Sequence, residues 1–286
     1  MRRSGWRRST LPEVSRSPAS GALAVAAARF AFSATARLDA ELLLAHALGI
    51  TRERLLLTLA DWPVPPAFAD LVERRARHEP IAYITRTRAF WTIELDVAPG
   101  VLIPRADSET LIEAAVAHFA GTPGPRRVLD LGTGSGALLL AALDQWPDAS
   151  GIGLDASPAA LAIARANAAR VAPGRACIAE GGWNGTGEPF DLILCNPPYI
   201  ATDTPLPREV AAFEPASALF AGEDGLDDYR LIAPYLAGQI ATGGVACIEI
   251  GHDQAESAAP LFRDAGLRVA LRRDLAGHDR CLVITP

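Results

Sequence analysis

A run of Asn, two prolines and Tyr, Asn196-Pro197-Pro198-Tyr199, directly follows the apolar segment Phe190 to Cys195. Neither proline has an N–H to donate, and a residue that precedes proline is driven into extended conformation. The Asn196 side-chain oxygen and a backbone carbonyl of Asn196-Pro197 can then accept both hydrogens of a planar NH2 group, while the Tyr199 ring stacks on its plane. The tetrapeptide, although it is also common turn chemistry, indicates a site for a planar amine or amide.

A glycine-rich turn provides a second candidate site. Val128 to Leu131 is apolar apart from Asp130, Gly132, Gly134 and Gly136 follow, and a helical pattern begins at Ala137. Such a turn brings backbone amides against a ligand at a helix N-terminus. Asp155 ends the next apolar segment, about 20 residues on, where a carboxylate can accept hydrogen bonds from ribose hydroxyls or cap the helix that starts at Ser157-Pro158. Both features suit a nucleotide-like ligand, with NAD and S-adenosylmethionine equally possible.

The elements that must position these residues alternate between short strands and helices. This alternation predicts an α/β fold with a doubly wound, mostly parallel sheet, whose ligands bind where the strands end. The predicted strands are Arg127–Leu131, Gly151–Asp155, Ala176–Ala179, Phe190–Cys195, Gly244–Ile250 and Cys281–Ile284.

The first third of the chain follows a different pattern. Residues 21–88 are predicted to form a small helical domain, in which Leu38, Leu42, Ala45 and Leu48 share one face. Alternating apolar residues over 89–103 predict a β-hairpin linker, and the second domain covers 104–286. Residues 1–20 are predicted to be a mobile tail, although their arginines before an apolar segment also resemble a leader.

Composition excludes several classes of function. The 286 residues are 50% hydrophobic and 21% charged, which is sufficient for a packed core. The net charge of -6 argues against a nucleic-acid-binding surface, and no apolar run is long enough for a membrane span. The cysteines and histidines lack metal-ligand spacing. We expect Cys177, Cys195, Cys247 and Cys281 to be buried reduced thiols, in keeping with a cytoplasmic protein.

Taken together, these segments resemble the class I (Rossmann-like) S-adenosylmethionine-dependent methyltransferases that modify exocyclic or amide nitrogen. Further runs resemble, more narrowly, the protein N(5)-glutamine methyltransferases of peptide chain release factors (HemK/PrmC type). The resemblance covers residue 20 to the C-terminus. Its runs are Glu79-Pro80-Ile81-Ala82-Tyr83-Ile84 with Phe90-Trp91, Leu102 to Glu109, Asn196 to Ile200, Glu214-Pro215 with Leu219 to Leu226, and Glu249-Ile250-Gly251.

This resemblance implies a role for each matching residue. The methionine end of S-adenosylmethionine is expected on Asp130, Leu131, Gly132, Thr133 and Gly134, its ribose on Asp155, its adenine beside Trp183 and its methyl group near Asn196. The target glutamine, in a release factor GGQ motif, is expected at Asn196, Pro197, Pro198 and Tyr199, with Asn196, Pro197 and Tyr199 catalytic. The helical domain is expected to dock the release factor, and the protein to be a monomer.

The chain departs from the family pattern at three positions. Gly182 stands where an Asp usually precedes Trp183, so an acceptor facing the adenine is either missing or supplied by Glu180. Arg86 replaces a usual Gly and Ala89 a usual Glu, which affects the linker geometry.

Several alternatives remain open at this point. The substrate could instead be a glutamine of a ribosomal protein or an adenine N6 of DNA or RNA, and a nicotinamide oxidoreductase or a non-catalytic adenosine-binding protein would share the glycine turn. Asp107 and Glu109 are interpreted as charges at a helix start rather than a catalytic pair. Arg105 could contact a ligand or form a surface ion pair, and His252 is taken as a turn residue. The long segment 201–230 is expected to shape the substrate groove.

Overall fold

The computed structural model describes residues 18–59 and 62–286, and the chain divides into two compact units between Thr85 and Arg86. Most of the expected tail therefore lies outside the described residues. Residues 18–20 were expected to belong to this mobile tail, but they are helical, because the first helix begins at Pro18.

The first unit is helical, as predicted, and packs around one apolar core. Within it, Leu43, Leu44 and Ala45 of the second helix are buried, whereas Leu38 is 37% exposed. The predicted apolar face of that helix was therefore partly wrong, because the core contacts come from a face rotated toward Leu43 and Leu44. The helices are α1 Pro18–Arg29, α2 Ala36–Leu48, α3 Arg52–Leu57, α4 Ala67–Ala76 and α5 Ile81–Thr85.

The second unit begins with an antiparallel hairpin, β1 Thr87–Phe90 and β2 Ile93–Asp96. The predicted linker covers 89–103, whereas the hairpin starts at Thr87 and ends at Asp96. The turn between its strands falls at Trp91, which has a φ of 54°. Asn167, a fully buried side chain, fixes the hairpin. Its Oδ1 accepts from the Asp96 N–H (2.8 Å), and its Nδ2 donates to the carbonyls of Asp96 (3.0 Å) and Ser135 (2.9 Å). The hairpin is thereby tied to the glycine-rich turn.

The elements that follow the hairpin are α6 Glu109–His118, β3 Arg127–Leu131, α7 Ala137–Gln145, β4 Ser150–Asp155, α8 Pro158–Val171, β5 Ala176–Glu180, β6 Phe190–Cys195, α9 Arg208–Phe213, α10 Asp227–Leu236, β7 Ile240–Glu249, α11 Ala255–Asp264, β8 Arg268–Arg273 and β9 Asp279–Thr285. Their strands form a seven-stranded sheet in the order β5-β4-β3-β6-β7-β9-β8, which confirms the doubly wound, mostly parallel α/β fold. The strands β3 to β7 are parallel, and β9 lies antiparallel between β7 and β8. The sequence did not predict β8, since its three arginines mask the alternation of an edge strand.

Two apolar cores cover the sheet, and three of the four cysteines lie within them. Cys195, Cys247 and Cys281 are fully buried, and all four cysteines are free thiols. Cys177 was wrongly expected to be buried. It lies on β5 at the edge of the sheet and is exposed. No helix among the described residues has the length and apolar character to cross a membrane.

Candidate active site

The strand register brings the predicted functional loops to one edge of the sheet. Leu131 at the end of β3 pairs with Leu154 of β4 and with Cys195 of β6, and Cys195 in turn pairs with Ile248 of β7. The chain leaves β3 in one direction and returns through β6 on its other side, which is the switch point where open parallel sheets bind ligands. The glycine turn and the Asn196 loop therefore emerge side by side.

A cavity of about 480 Å³ opens at this point, a size suited to a cofactor-sized molecule. The cavity is lined by six of the residues predicted to bind the cofactor: Gly132, Thr133, Gly134, Asp155, Trp183 and Asn196. Gly132 has a φ of 68°, and a Cβ atom there would stand 2.9 Å from the Trp183 ring. Only glycine therefore allows the turn and the indole to approach so closely.

Asp155 joins the glycine turn to the start of α8 but does not cap that helix. Its Oδ2 accepts from the Gly134 N–H (2.8 Å) and its Oδ1 from the Ser157 N–H (2.8 Å), while Ser157 itself caps α8. A carboxylate offers about four acceptor positions, so these two hydrogen bonds leave capacity for ribose hydroxyls. The carboxylate thus fixes the turn and still faces the cavity.

Asp130 and Leu131 do not line the cavity. Leu131 packs in the core, and Asp130 is 1% exposed, with its Oδ2 accepting from Thr133 Oγ1 (2.6 Å) and the Leu139 N–H (3.3 Å). Burial raises the pKa of Asp130 to about 7. In the structure Asp130 supports the turn from inside the protein.

The cavity lining also includes a carboxylate that the sequence did not indicate. Asp228, in the first turn of α10, lines the cavity, and its Oδ1 accepts from Trp183 Nε1 at 2.7 Å. Partial burial raises the pKa of Asp228. Glu180 is exposed and does not line the cavity, whereas Gly182 does. The acceptor beside Trp183 is therefore Asp228 and not Glu180.

Asn196 lies at the junction of this cavity with a second one of about 170 Å³, whose lining includes Pro197 and Tyr199. Its Nδ2 donates to Ser108 Oγ at 3.0 Å, and this contact directs Oδ1 elsewhere. Pro198 lines the larger cavity. The predicted tetrapeptide thus stands between the two cavities.

Two hydrogen bonds fix Tyr199. Its side-chain hydroxyl donates to Glu249 Oε1 at 3.1 Å, and its backbone carbonyl accepts from Gln254 Nε2 at 2.9 Å. A Cβ atom on Gly225 would come within 2.4 Å of the Tyr199 carbonyl oxygen. Burial and the neighbouring Glu249 carboxylate raise the pKa of Tyr199, which keeps the phenol protonated.

The segment 201–230 is not a plain loop. It contains α9 and a 3-10 turn, and Leu206, Val210, Ala218 and Leu219 from this segment line the second cavity. Glu214, whose side chain is 1% exposed, joins the segment to the rest of the site by accepting from the Ile103 N–H (3.2 Å) and from Arg105.

The remaining charged candidates are structural or exposed. Arg105 both pairs with Glu214 and lines the second cavity. Glu109 begins α6, as expected, and accepts from the Trp91 N–H at 2.9 Å, and Asp107 is an exposed partner of Arg280 at 3.5 Å. His252 is exposed beside Asp253.

Two family models match the chain: the PrmC N-terminal domain over residues 21–85 and the methyltransferase small domain over residues 106–212. A release factor glutamine methyltransferase of Rhodospirillum rubrum is 42% identical over 256 residues, which are 86% of this chain and 78% of the relative. One of Xylella fastidiosa is 44% identical over 86% of this chain and 92% of its own. The crystal structure of a methyltransferase from Pyrococcus furiosus, 16% identical, aligns over 74% of this chain and 96% of its own with a TM-score of 0.52, a likeness of fold. The identity and coverage of these relatives show that the chain belongs to the family of release factor glutamine methyltransferases.

Proposed function

We propose that the chain transfers a methyl group from S-adenosylmethionine to the side-chain amide nitrogen of a glutamine in a peptide chain release factor, the glutamine of the GGQ motif. The observation that carries the proposal is the placement of Asn196 between two cavities, with its NH2 group already engaged by Ser108. An acceptor oxygen so placed can receive a hydrogen of an NH2 group and disfavours a carbonyl, which has no hydrogen to donate.

The larger cavity fits S-adenosylmethionine. Backbone amides of the Gly132–Gly134 turn suit the methionine end, Asp155 the ribose hydroxyls, and Trp183 with Asp228 the adenine. The methyl group would lie toward Asn196, on the side of the second cavity. Asp228 supplies the acceptor that the family usually has at position 182.

When bound, the sulfonium supplies an electrophilic methyl group, which passes to nitrogen as the S–CH3 bond breaks. An amide nitrogen is a weak nucleophile because its lone pair is delocalised into the carbonyl. Asn196 Oδ1 and a carbonyl of the Asn196-Pro197 segment accept from both N–H bonds, which orients the nitrogen and favours positive charge on it. Tyr199 packs on the amide plane and fixes the approach. The nitrogen loses one proton to these oxygens or to water after transfer.

The second cavity would hold the rest of the glutamine side chain, since its lining is largely apolar apart from Arg105 and Asn196. The helical unit is proposed to bind a part of the release factor away from this glutamine. We also propose that the protein acts in the cytoplasm as a monomer and without nucleic acid, in keeping with its net charge of -6. Light scattering after size-exclusion chromatography checks the oligomeric state.

The test is methyl transfer from labelled S-adenosylmethionine to a purified release factor, beside the same factor with its GGQ glutamine changed to alanine. Label on that glutamine alone is the expected result. Asn196→Ala should abolish transfer while cofactor affinity measured by calorimetry is largely retained, and the exposed Asn184→Ala serves as the matched control. Near-normal turnover of Asn196→Ala would refute the mechanism. A wild-type release factor that stays unlabelled, beside a ribosomal protein or a nucleic acid that is labelled in a parallel assay, would refute the substrate.

A further inference from the structure

We propose that Glu249 is a positioning residue that acts through Ser108: it fixes the orientation of the Asn196 side chain so that its oxygen, and not its nitrogen, faces the target NH2 group. This inference rests on the proposed function. It assigns a task to a buried carboxylate that the transfer chemistry itself does not use.

Glu249 lies where it can act on the segment Asn196–Tyr199, which we call the acceptor loop. It is the last residue of β7 and is 1% exposed. Because Ile248 pairs with Cys195, Glu249 stands level with Asn196 on the neighbouring strand. Its Oε1 accepts from the Tyr199 hydroxyl at 3.1 Å. The same residue therefore contacts one member of the tetrapeptide directly and is aligned with another.

The Glu249 backbone is fixed as firmly as its side chain. Its carbonyl accepts from the Tyr229 hydroxyl at 3.0 Å, and that hydroxyl also reaches Gln254 Oε1 at 3.4 Å. Gln254 in turn donates to the Tyr199 carbonyl. These bonds link β7, α10 and the acceptor loop to one another.

The second carboxylate oxygen, Oε2, is buried and has no hydrogen-bond partner among residues 18–59 and 62–286. Besides Tyr199, the side-chain donor that favours the charged form of Glu249 is the Ser108 hydroxyl. Ser108 is 3% exposed and accepts from Asn196 Nδ2 at 3.0 Å. Ser108 thus stands between the carboxylate and the amide.

The charge on Glu249 sets the direction in which Ser108 and Asn196 donate their hydrogens. A serine hydroxyl carries a single hydrogen, and an ionised carboxylate can only accept. When Glu249 is charged, it attracts the Ser108 hydrogen toward the carboxylate, and Ser108 Oγ is left to accept from Asn196 Nδ2. Asn196 must then present its NH2 group to Ser108 and its oxygen to the cavity. If Glu249 were neutral, it could donate to Ser108 instead. Ser108 could then either accept from the Asn196 NH2 group or donate to the Asn196 oxygen, and the amide would have no fixed orientation.

The charged groups around Glu249 come from several elements. Arg280 on β9 and the Tyr199 and Ser108 hydroxyls favour its charged form, while burial and Asp107, in the turn before α6, oppose it. Burial is the largest of these influences and raises the pKa of Glu249 to about 7.

The other titratable groups near Glu249 are the Tyr229 phenol and the thiols of Cys195 and Cys281. Burial raises the pKa of all three, and so does the Glu249 charge. They are therefore neutral near pH 7, and Glu249 and Asp130 are the two carboxylates nearby whose raised pKa lets them change charge there.

Kinetics of Glu249→Gln give the first test, because the variant keeps the shape of the side chain but can donate to Ser108. We expect the kcat for transfer to fall about 10- to 100-fold, as for the loss of one hydrogen bond to a charged group. The dissociation constant of S-adenosylmethionine should change less than about twofold, since the cofactor cavity is not lined by Glu249. Glu256→Gln, an exposed carboxylate in α11, is the matched control.

The pH profile separates positioning from mere support. In the wild type, kcat should be full above pH 7 and fall as the pH drops through about 7, because Glu249 must be ionised. In Glu249→Gln the low rate should lack this inflection. Ser108→Ala provides a second variant if Glu249→Gln fails to fold, and it should lower kcat and remove the same inflection. An unchanged rate or profile in the soluble variants would overturn the inference.

A readout without substrate keeps this inference separate from the proposed function. The chain has three asparagines, Asn167, Asn184 and Asn196, so the side-chain NH2 signals of 15N-asparagine protein are assignable with Asn196→Ala. The Asn196 signal should shift as the pH falls through about 7 in the wild type, but not in Glu249→Gln. A shift retained in Glu249→Gln would instead indicate Asp130, whose pKa is also raised to about 7. If wild-type enzyme leaves the release factor unlabelled while the Asn196 signal behaves as expected, the substrate proposal alone has failed.

Discussion

Truncation of Asp228 should weaken cofactor binding without lowering the rate at saturation. Asp228 Oδ1 holds Trp183 Nε1 at 2.7 Å, and the Trp183 ring packs against Gly132 in the wall of the cavity. Asp228→Ala removes both the anchor of this ring and the acceptor oxygen that Asp228 presents beside Trp183. The methyl-transfer end, at Asn196, is left intact.

The hydrogen bonds involved fix the expected magnitude. A bond to a charged group contributes about 1.5 to 3 kcal/mol when buried, and Asp228 is only half-buried. A loss of about 1 to 2 kcal/mol corresponds to a 5- to 30-fold higher dissociation constant for S-adenosylmethionine. Asp228→Asn keeps an acceptor oxygen and should lose less than Asp228→Ala.

Calorimetric titration with S-adenosylhomocysteine and with its inosine analogue, which carries a carbonyl in place of the adenine amine, measures both roles. The wild type should prefer the adenine form, and Asp228→Asn should narrow that preference. Asp227→Ala, the neighbouring carboxylate on α10 that pairs with Arg230, is the control.

A rescue variant completes the design. A Cβ atom on Gly182 would meet Asn184 Oδ1 at 3.6 Å, an ordinary contact, so Gly182→Asp fits. It should recover part of the affinity that Asp228→Ala loses. Wild-type affinity and wild-type preference for the adenine form in Asp228→Ala would refute the assignment of Asp228.

Three further predictions concern stability and thiol chemistry. Arg86 has a φ of 62°, so Arg86→Gly should be about 1 kcal/mol more stable to thermal unfolding than Arg86→Ala, and equal stability would contradict this. Glu214→Ala should lower the free energy of unfolding by about 1 to 3 kcal/mol, because it strips the Ile103 N–H and Arg105 of their acceptor. Glu188→Ala, which breaks the exposed pair with Arg127, should cost less than about 0.5 kcal/mol, and a similar loss in both variants would count against the burial argument. A thiol reagent should modify Cys177 in the native protein and reach Cys195, Cys247 and Cys281 only after denaturation, as mass mapping would show.

The fold was largely predictable because its signals are local. The apolar runs that end at Leu131, Asp155 and Cys195 alternate with helical patterns, and that alternation specifies the sheet and the edge where the site lies. The errors fall where tertiary context decides. Three arginines concealed β8, and the exposure of Cys177 depends on β5 being an edge strand, which the sequence pattern does not state.

The candidate site was predictable only where a residue follows a strand or belongs to a recognisable run. Asn196 and Asp155 meet that condition, whereas Ser108 and Asp228 begin helices and reach the site through register and packing. Glu249 ends a buried strand, and the rule that ligands gather at strand ends could have indicated it. Its contact with Tyr199, however, depends on β7 lying beside β6.

Asp228 and Glu249, the two carboxylates that were not predicted from the sequence, have different tasks in the site. Asp228 is half-buried and holds the ring at the cofactor end, so its loss should appear in the dissociation constant. Glu249 is buried behind the acceptor and lines neither cavity, so its loss should appear in kcat and in the pH profile. Because these tasks are separate, the free-energy changes that Asp228→Ala and Glu249→Gln cause singly should add up in the double variant. Strong coupling between them would mean that cofactor placement and acceptor orientation are one event, and that the Asn196 amide is fixed only once the larger cavity is filled.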